Sequence, residues 1–401
     1  MGTNKKYKGY VSYQYLEAGK DFISYEMVDQ IERVEPYLLP LNSEGEERVL
    51  HLARESIIIS LHEHPTIMPK NVARDLDAYE RQGREHTAFL GLSHSYLDCV
   101  FDNMMDGTCT ISSPAGWKWQ DILHDLGMRR SDIAHQDFVI VCERVSDIYR
   151  AHKEGQLAWV PSIEGAAPIE NELDRIDILY GLGVRLLGIT YSESNALGSG
   201  LKEKRDGGLT AFGRQAVERM NKLGMAIDCS HTGILTTLDV IEHSAKPIFL
   251  THVGARQLWD SKRLTPDEVL KACAGKGGVI GIEAAPHTTI THNHPAHNLD
   301  SYMEHFEYVK DLVGIDHVAF GPDTLYGDHV GLHRHFSSQL STKGTQARQE
   351  FPEVDYVRGL ENPTEASHNI LRWLVKHDYS TEDIQKVLGK NILRVLEDVW
   401  Y

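Results

Sequence analysis

The 401-residue chain carries 58 acidic against 41 basic residues, a net charge of −17, with 41% hydrophobic and 25% charged positions. This is the balance of a globular protein with ample core material, and the lack of any long Lys/Arg run argues against nucleic acid as a partner. No apolar run reaches the roughly 18 to 20 residues of a membrane span, so a membrane partner is not expected.

The opening Met1-Gly2-Thr3-Asn4-Lys5-Lys6 lacks the apolar stretch of a secretion signal, and Glu397–Tyr401 has no apolar tail. A cytoplasmic location is therefore expected. Cys99, Cys109, Cys142, Cys229 and Cys273 are widely spaced, without a CxxC pair, and read as reduced thiols.

Residues up to about 50 form an N-terminal extension. Beyond it, short runs rich in Val, Ile and Leu alternate with helix-patterned stretches. The strand candidates are 56–62, a weaker one at 97–101, then 157–164, 184–191, 225–231, 247–253, 278–285 and 317–323. Among the intervening helices, 209–223 stops at Gly224, 267–274 follows Thr265-Pro266, and 381–388 follows Ser380. The polar stretch 324–362 is expected to be an extended loop after the last strand, where loops cap barrel sites.

Strands alternating with helices favour a single α/β domain over the whole chain, a closed (β/α)8 TIM-type barrel larger than the roughly 250 residues of the plain fold. An open doubly wound sheet competes, but no Gly-rich phosphate loop follows the first strand.

The strand candidates end in residues able to bind metal or move protons: His62 with His64, Glu164, Tyr191, His231, His252 and Asp323. In such a barrel the C-terminal strand ends converge, so distant ligands become neighbours. His62 and His64, two apart on a strand, face one side and can clasp one ion, while Glu63 between them points away. The plain alternative is a pair of solvated histidines before Pro65. Glu164, beside Gly165, can bridge two cations with its two oxygens, against the alternative of a surface Glu in a turn. His231 and His252 offer neutral imidazoles that suit zinc, or else are core histidines bonded to backbone.

The run Gly208-Leu209-Thr210-Ala211-Phe212-Gly213 leading through Asn221-Lys222-Leu223-Gly224 to Asp228-Cys229-Ser230-His231 resembles the renal (membrane) dipeptidase family. Ser162-Ile163-Glu164-Gly165, Thr251-His252, Phe320-Gly321-Pro322-Asp323, Gly359-Leu360-Glu361-Asn362 and Gly389-Lys390-Asn391-Ile392 agree in order. The resemblance covers about residues 50 to 400.

It implies two zinc ions, one held by His62 and the residue at 64, the other by His231 and His252, with Glu164 bridging. It further implies Asp323 as the group that handles the proton of a bridging water, and Arg263 as the binder of the substrate's carboxylate, with Arg256 close by as its competitor. Two positions depart from the family pattern. His64 stands where the family has an acidic ligand, so the second zinc is expected to be weakly held, and Tyr191 stands where many members present a histidine to the substrate carbonyl.

The expected activity is metal-dependent hydrolysis of a small amide, dipeptide or dipeptide-like bond. Alternatives are action on a non-peptide amide or lactone of a small metabolite, or a catalytically silent metal-binding barrel. The expected partner is a small-molecule or dipeptide-like substrate, with a homodimer left open. His287, His292, His294 and His297 could form a further metal site or a solvated loop, and Trp117 and Trp119 could line the pocket or pack locally.

Overall fold

The computed structural model describes residues 5–104, 118–336 and 350–400. Its strands in chain order are β1 (Ile59–Ile67), β2 (His86–Thr87), β3 (Cys99–Met104), β4 (Val139–Val141), β5 (Leu157–Ile163), β6 (Leu186–Gly188), β7 (Ala226–Asp228), β8 (Phe249–Val253), β9 (Val279–Ile282), β10 (Val318–Phe320) and β11 (Leu325–Tyr326). Each of the expected strands is present. The barrel wall runs β1-β3-β5-β6-β7-β8-β9-β10, every neighbouring pair parallel. All seven residues of β5 are buried, as parallel strands covered on both faces require.

The wall closes where the chain leaving β10 meets β1. Asp323 N–H donates to the His62 carbonyl (3.0 Å), His64 N–H donates to the Thr324 carbonyl (2.9 Å), and β11 runs parallel to the far end of β1. The protein is thus a (β/α)8 TIM-type barrel. Outside the wall, β2 pairs antiparallel with β1, and β4 pairs with the first half of β5.

The helix Ala211–Leu223 shows how the sequence sets the outer layer. The Thr210 side chain caps it by accepting from Gly213 N–H, and Ala216, Val217 and Met220 bury one face. Gly224 then ends it at φ 76°, a left-handed conformation that glycine adopts without strain. The helix over Thr381–Gln385 continues through a π-helical turn at Lys386–Lys390 into Asn391–Val399, longer than the sequence pattern indicates.

Ile59, Leu61, Phe101, Val160, Phe249 and Ala319 form one buried cluster with Ile392, Leu396 and Trp400 of the C-terminal helix. The opposite-parity residues Val100, Trp159, Leu187, Ile227, Leu250 and Ile280 join the larger cluster that includes the outer helices.

Two register irregularities matter for the site. One falls between Ser60 and Glu63 of β1, the other between Leu250 and Val253 of β8. A bulge shifts the alternation of side chains and re-aims the residues that follow. At β8 the shifted Thr251 carbonyl enters space kept open by glycine: a Cβ on Gly281 or Gly321 would lie 2.0 or 2.1 Å from that oxygen.

The stretch 324–362 is not loop throughout. It holds β11 and the helix His329–His335, and residues 337–349 lie outside the described part. The N-terminal extension straps the barrel: Tyr10 and Ser12 hydroxyls and Tyr13 N–H all donate to the buried Asp132 carboxylate.

Candidate metal centre

The barrel's C-terminal end gathers the nitrogens and oxygens of six residues from five strand ends. Glu164 Oε1 lies 3.0 Å from His231 Nε2 and 3.1 Å from His252 Nε2, and those two nitrogens are 3.0 Å apart. His62 Nε2, His64 Nε2 and Asp323 Oδ1 form a second triangle with edges of 3.3, 3.3 and 3.2 Å. The two meet across the 3.9 Å from His62 Nε2 to Glu164 Oε1 and the His62–His252 ring contact, centroids 3.5 Å apart.

A tetrahedral ion with bonds of about 2.0 to 2.1 Å spaces its ligand atoms about 3.3 to 3.4 Å apart. Both triangles sit close to that spacing. The groups His62–His64–Asp323 and His62–Glu164–His252 each converge tightly enough to hold an ion. The second oxygen of Glu164 is buried without a hydrogen-bond partner among the described residues, which leaves it free to bridge. Together these observations fit a pair of divalent cations.

The histidines are held in orientation by their other nitrogens. His231 Nδ1 meets the Ser192 hydroxyl at 3.0 Å, and His252 Nδ1 meets the Thr251 hydroxyl at 2.8 Å. Such outer partners fix ring orientation in metal sites. Asp228 Oδ1 in turn accepts from Ser230 N–H and Oγ–H and from Thr251 N–H, tying β7 to the bulge of β8.

Burial sets most of the electrostatics. It pushes His62 down to about 4, and with help from the Arg263 charge it holds His231 and His252 well below the usual imidazole range. These rings are neutral at pH 7, the form that binds metal. Burial raises Glu164 to about 8. For His64 burial also acts downward, but the Asp323 carboxylate outweighs it and lifts the ring to about 9. Asp323 is held well below the ordinary carboxylate range, the neighbouring imidazoles overriding its burial.

Asp323 adopts φ 58°, a left-handed conformation that Asp tolerates better than most residues. The turn is pinned from outside the cluster. Glu63 Oε2 accepts from Thr324 N–H (2.8 Å) and Oγ–H (2.7 Å), and Glu63 Oε1 accepts from Ser60 Oγ–H (2.9 Å). Glu63 does point away from the donor cluster, yet it is buried and positions Asp323.

Tyr191 stacks its ring on His231, centroids 4.4 Å apart at 26°. Burial raises its hydroxyl well above 10, so it stays protonated. Arg263 is buried and donates to the His252 carbonyl at 3.0 Å. Arg256 instead gives its guanidinium to the Ser261, Lys262 and Leu264 carbonyls, a loop-bracing role that removes it as a rival.

The seven expected site residues that end strands, and Arg263, thus stand together. Two features escape the sequence reading: Asp323 lies among the metal donors as well as beside them, and the buried Glu283, one residue beyond β9, pairs with Arg263.

Among the described residues the loop histidines make no shared site. His297 accepts from His287 N–H and meets Thr289 Oγ, His287 accepts from Val354 N–H, and His292 packs on Trp259. Trp119 lies beneath the Arg175 guanidinium, and Trp117 falls outside the described residues. Cys99, Cys142, Cys229 and Cys273 are free and buried.

The family model for membrane dipeptidase (peptidase family M19) matches residues 46–335. Dipeptidase aclJ of Aspergillus oryzae is 27% identical over 267 residues, which span 66% of this chain and 57% of that protein. Dipeptidase verJ of Clonostachys rogersoniana is 27% identical over 281 residues, 70% of this chain and 63% of its own. The chain therefore matches under two thirds of the length of these relatives. An amidohydrolase of Pseudomonas aeruginosa superposes with a TM-score of 0.69 at 26% identity, over 88% of this chain and 99% of that one.

Proposed function

Since the chain belongs to the membrane dipeptidase family (peptidase family M19), matched across residues 46–335, we propose that it is a zinc-dependent hydrolase of a dipeptide or dipeptide-like amide bond. The observation that carries this reading is the pair of donor triangles that meet where His62 Nε2 comes within 3.9 Å of Glu164 Oε1. Zinc is favoured over manganese because four of the six donors are imidazoles.

Bound there, two zinc ions would supply an activated water and a polarised carbonyl. The chain's residues do the rest. Asp323 accepts the proton released as water oxygen bonds the carbonyl carbon, and returns it to the departing nitrogen as the C–N bond breaks. The protonated Tyr191 hydroxyl donates to the developing oxyanion, while its ring keeps His231 in place. Arg263 receives the far end of the substrate. Glu63 keeps the Asp323 turn in register with β1.

Among the described residues no helix is long and apolar enough to cross a membrane. A cytoplasmic location is proposed from the free, buried thiols of Cys99, Cys142, Cys229 and Cys273, with a small molecule rather than nucleic acid as partner. A panel of free and C-terminally amidated dipeptides with L and D residues, assayed with added Zn²⁺, tests the proposal. Chelator-sensitive release of free amino acids is expected; a metal-loaded protein inert on every member contradicts it.

A further inference from the structure

Resting on that dipeptidase-type reading, the surroundings of Arg263 bear on which substrates the site accepts. Glu283 emerges from β9 at the same barrel end as the metal donors and is fully buried, 0% exposed. Its Oε2 lies 3.2 Å from Arg263 Nη2, the atom that also donates to the His252 carbonyl at 3.0 Å. That bond sets the guanidinium against the backbone of His252, beside the donor cluster.

A guanidinium recognises a carboxylate best with two parallel N–H bonds. Here one arm of the fork is already engaged by the protein, and its charge is matched by a built-in carboxylate. What remains is uneven. Arg263 Nη1 and both oxygens of Glu283 are buried with no well-formed hydrogen-bond partner among the described residues, the Thr288 hydroxyl and the Ala285 N–H reaching the carboxylate only at its edge. Buried polar groups are seldom left so, and a free donor beside an acceptor carboxylate is the complement of a neutral group that carries both an oxygen and an N–H.

We infer that Glu283 is a specificity-determining residue that, with Arg263, receives an amide rather than a free carboxylate. The substrate class is then a dipeptide-like compound whose C-terminal carboxyl is amidated or continues as a further amide. The amide oxygen accepts from Arg263 and its N–H donates to Glu283. A free carboxylate would bring a second negative charge onto one guanidinium. Like charges about 5 Å apart at an effective dielectric of about 20 disfavour such a ligand by on the order of 10²-fold, part of which the cations return.

The test uses the full-length, zinc-loaded protein and paired phosphinate pseudodipeptides, one a free acid and one its carboxamide, titrated calorimetrically above pH 8, where Glu283 is ionised. The wild type is expected to bind the carboxamide at least about tenfold more tightly, and Glu283→Gln to move that ratio at least about tenfold toward the acid with metal content unchanged. Equal or tighter binding of the acid by the wild type, an unmoved ratio in Glu283→Gln, or binding of neither probe by metal-replete protein overturns the inference. Hydrolysis of the matching dipeptides and dipeptide amides is measured separately. Selective binding without turnover would sink the hydrolase reading and leave this one standing.

Discussion

Asp323→Asn separates the two duties proposed for this carboxylate. Its Oδ1 is 3.3 and 3.2 Å from the Nε2 atoms of His62 and His64. Losing one charge at about 4 Å from a dication, at an effective dielectric of about 20, costs about 8 kcal/mol, roughly six decades of affinity. An opposing effect is set by His64. With its pKa at about 9, a metal must displace a proton at pH 7, which costs the wild type roughly two decades. Asparagine no longer holds that proton.

The net loss of metal affinity is therefore about 10⁴-fold at pH 7 and grows toward about 10⁶-fold at pH 9, where His64 of the wild type is half deprotonated. Calorimetric Zn²⁺ titration at both pH values measures it. Saturated with zinc, the variant should still turn over about 10² to 10⁴ times more slowly, having lost its proton-transfer group. Equal affinities at pH 9 together with near-normal turnover would refute the placement of Asp323.

Tyr191→Phe keeps the ring on His231, so metal content should hold while kcat drops about 10² to 10³-fold; a change of only a few-fold assigns Tyr191 to packing. His64→Asp lowers the charge of the loaded site by one and should tighten metal retention and weaken inhibition by anions. Unchanged retention and inhibition would disprove that account. Burial raises Glu283 to about 7 against the pull of Arg263, with Asp323 adding to the rise. Below that pH Glu283 is protonated and can donate to a substrate carboxylate, so the ratio of acid to amide turnover should climb from pH 8 to pH 6; a flat ratio counts against it. Gly321→Ala would place a Cβ 2.1 Å from the Thr251 carbonyl, displacing the β8 bulge. Zinc content and thermal melting should both fall, and full retention of both would contradict the role given to the bulge.

Much of the site is legible in the sequence because a parallel barrel strand is an apolar run with its functional residue at the end. Ile227-Asp228-Cys229-Ser230-His231 and Val160-Pro161-Ser162-Ile163-Glu164 display this plainly. The bulges are not legible. Ile59 and Leu61 share one face of β1, and alternation by two would send His62 to the other; only the irregularity between Ser60 and Glu63 turns it toward the site.

Glu283 was hidden for a different reason. It lies among Ile282, Ala284 and Ala285 and reads as the middle of the strand candidate 278–285, whereas β9 ends at Ile282. Nor could local pattern reveal β11, whose two residues exist as a strand only by pairing with β1, some 260 positions away in sequence by the His64–Leu325 register. The contacts that define such an element are long-range, and propensity is silent about them.

The central claim is a two-ion hydrolytic site, and stoichiometric metal titration monitored by dipeptide or dipeptide-amide turnover tests it most directly. The account predicts that stripped protein is inactive, that activity returns as Zn²⁺ is added, and that it levels off at two ions per chain, the second bound more weakly. Activity indifferent to chelation, or full loading with two ions and no hydrolysis of any free or amidated dipeptide, would contradict it.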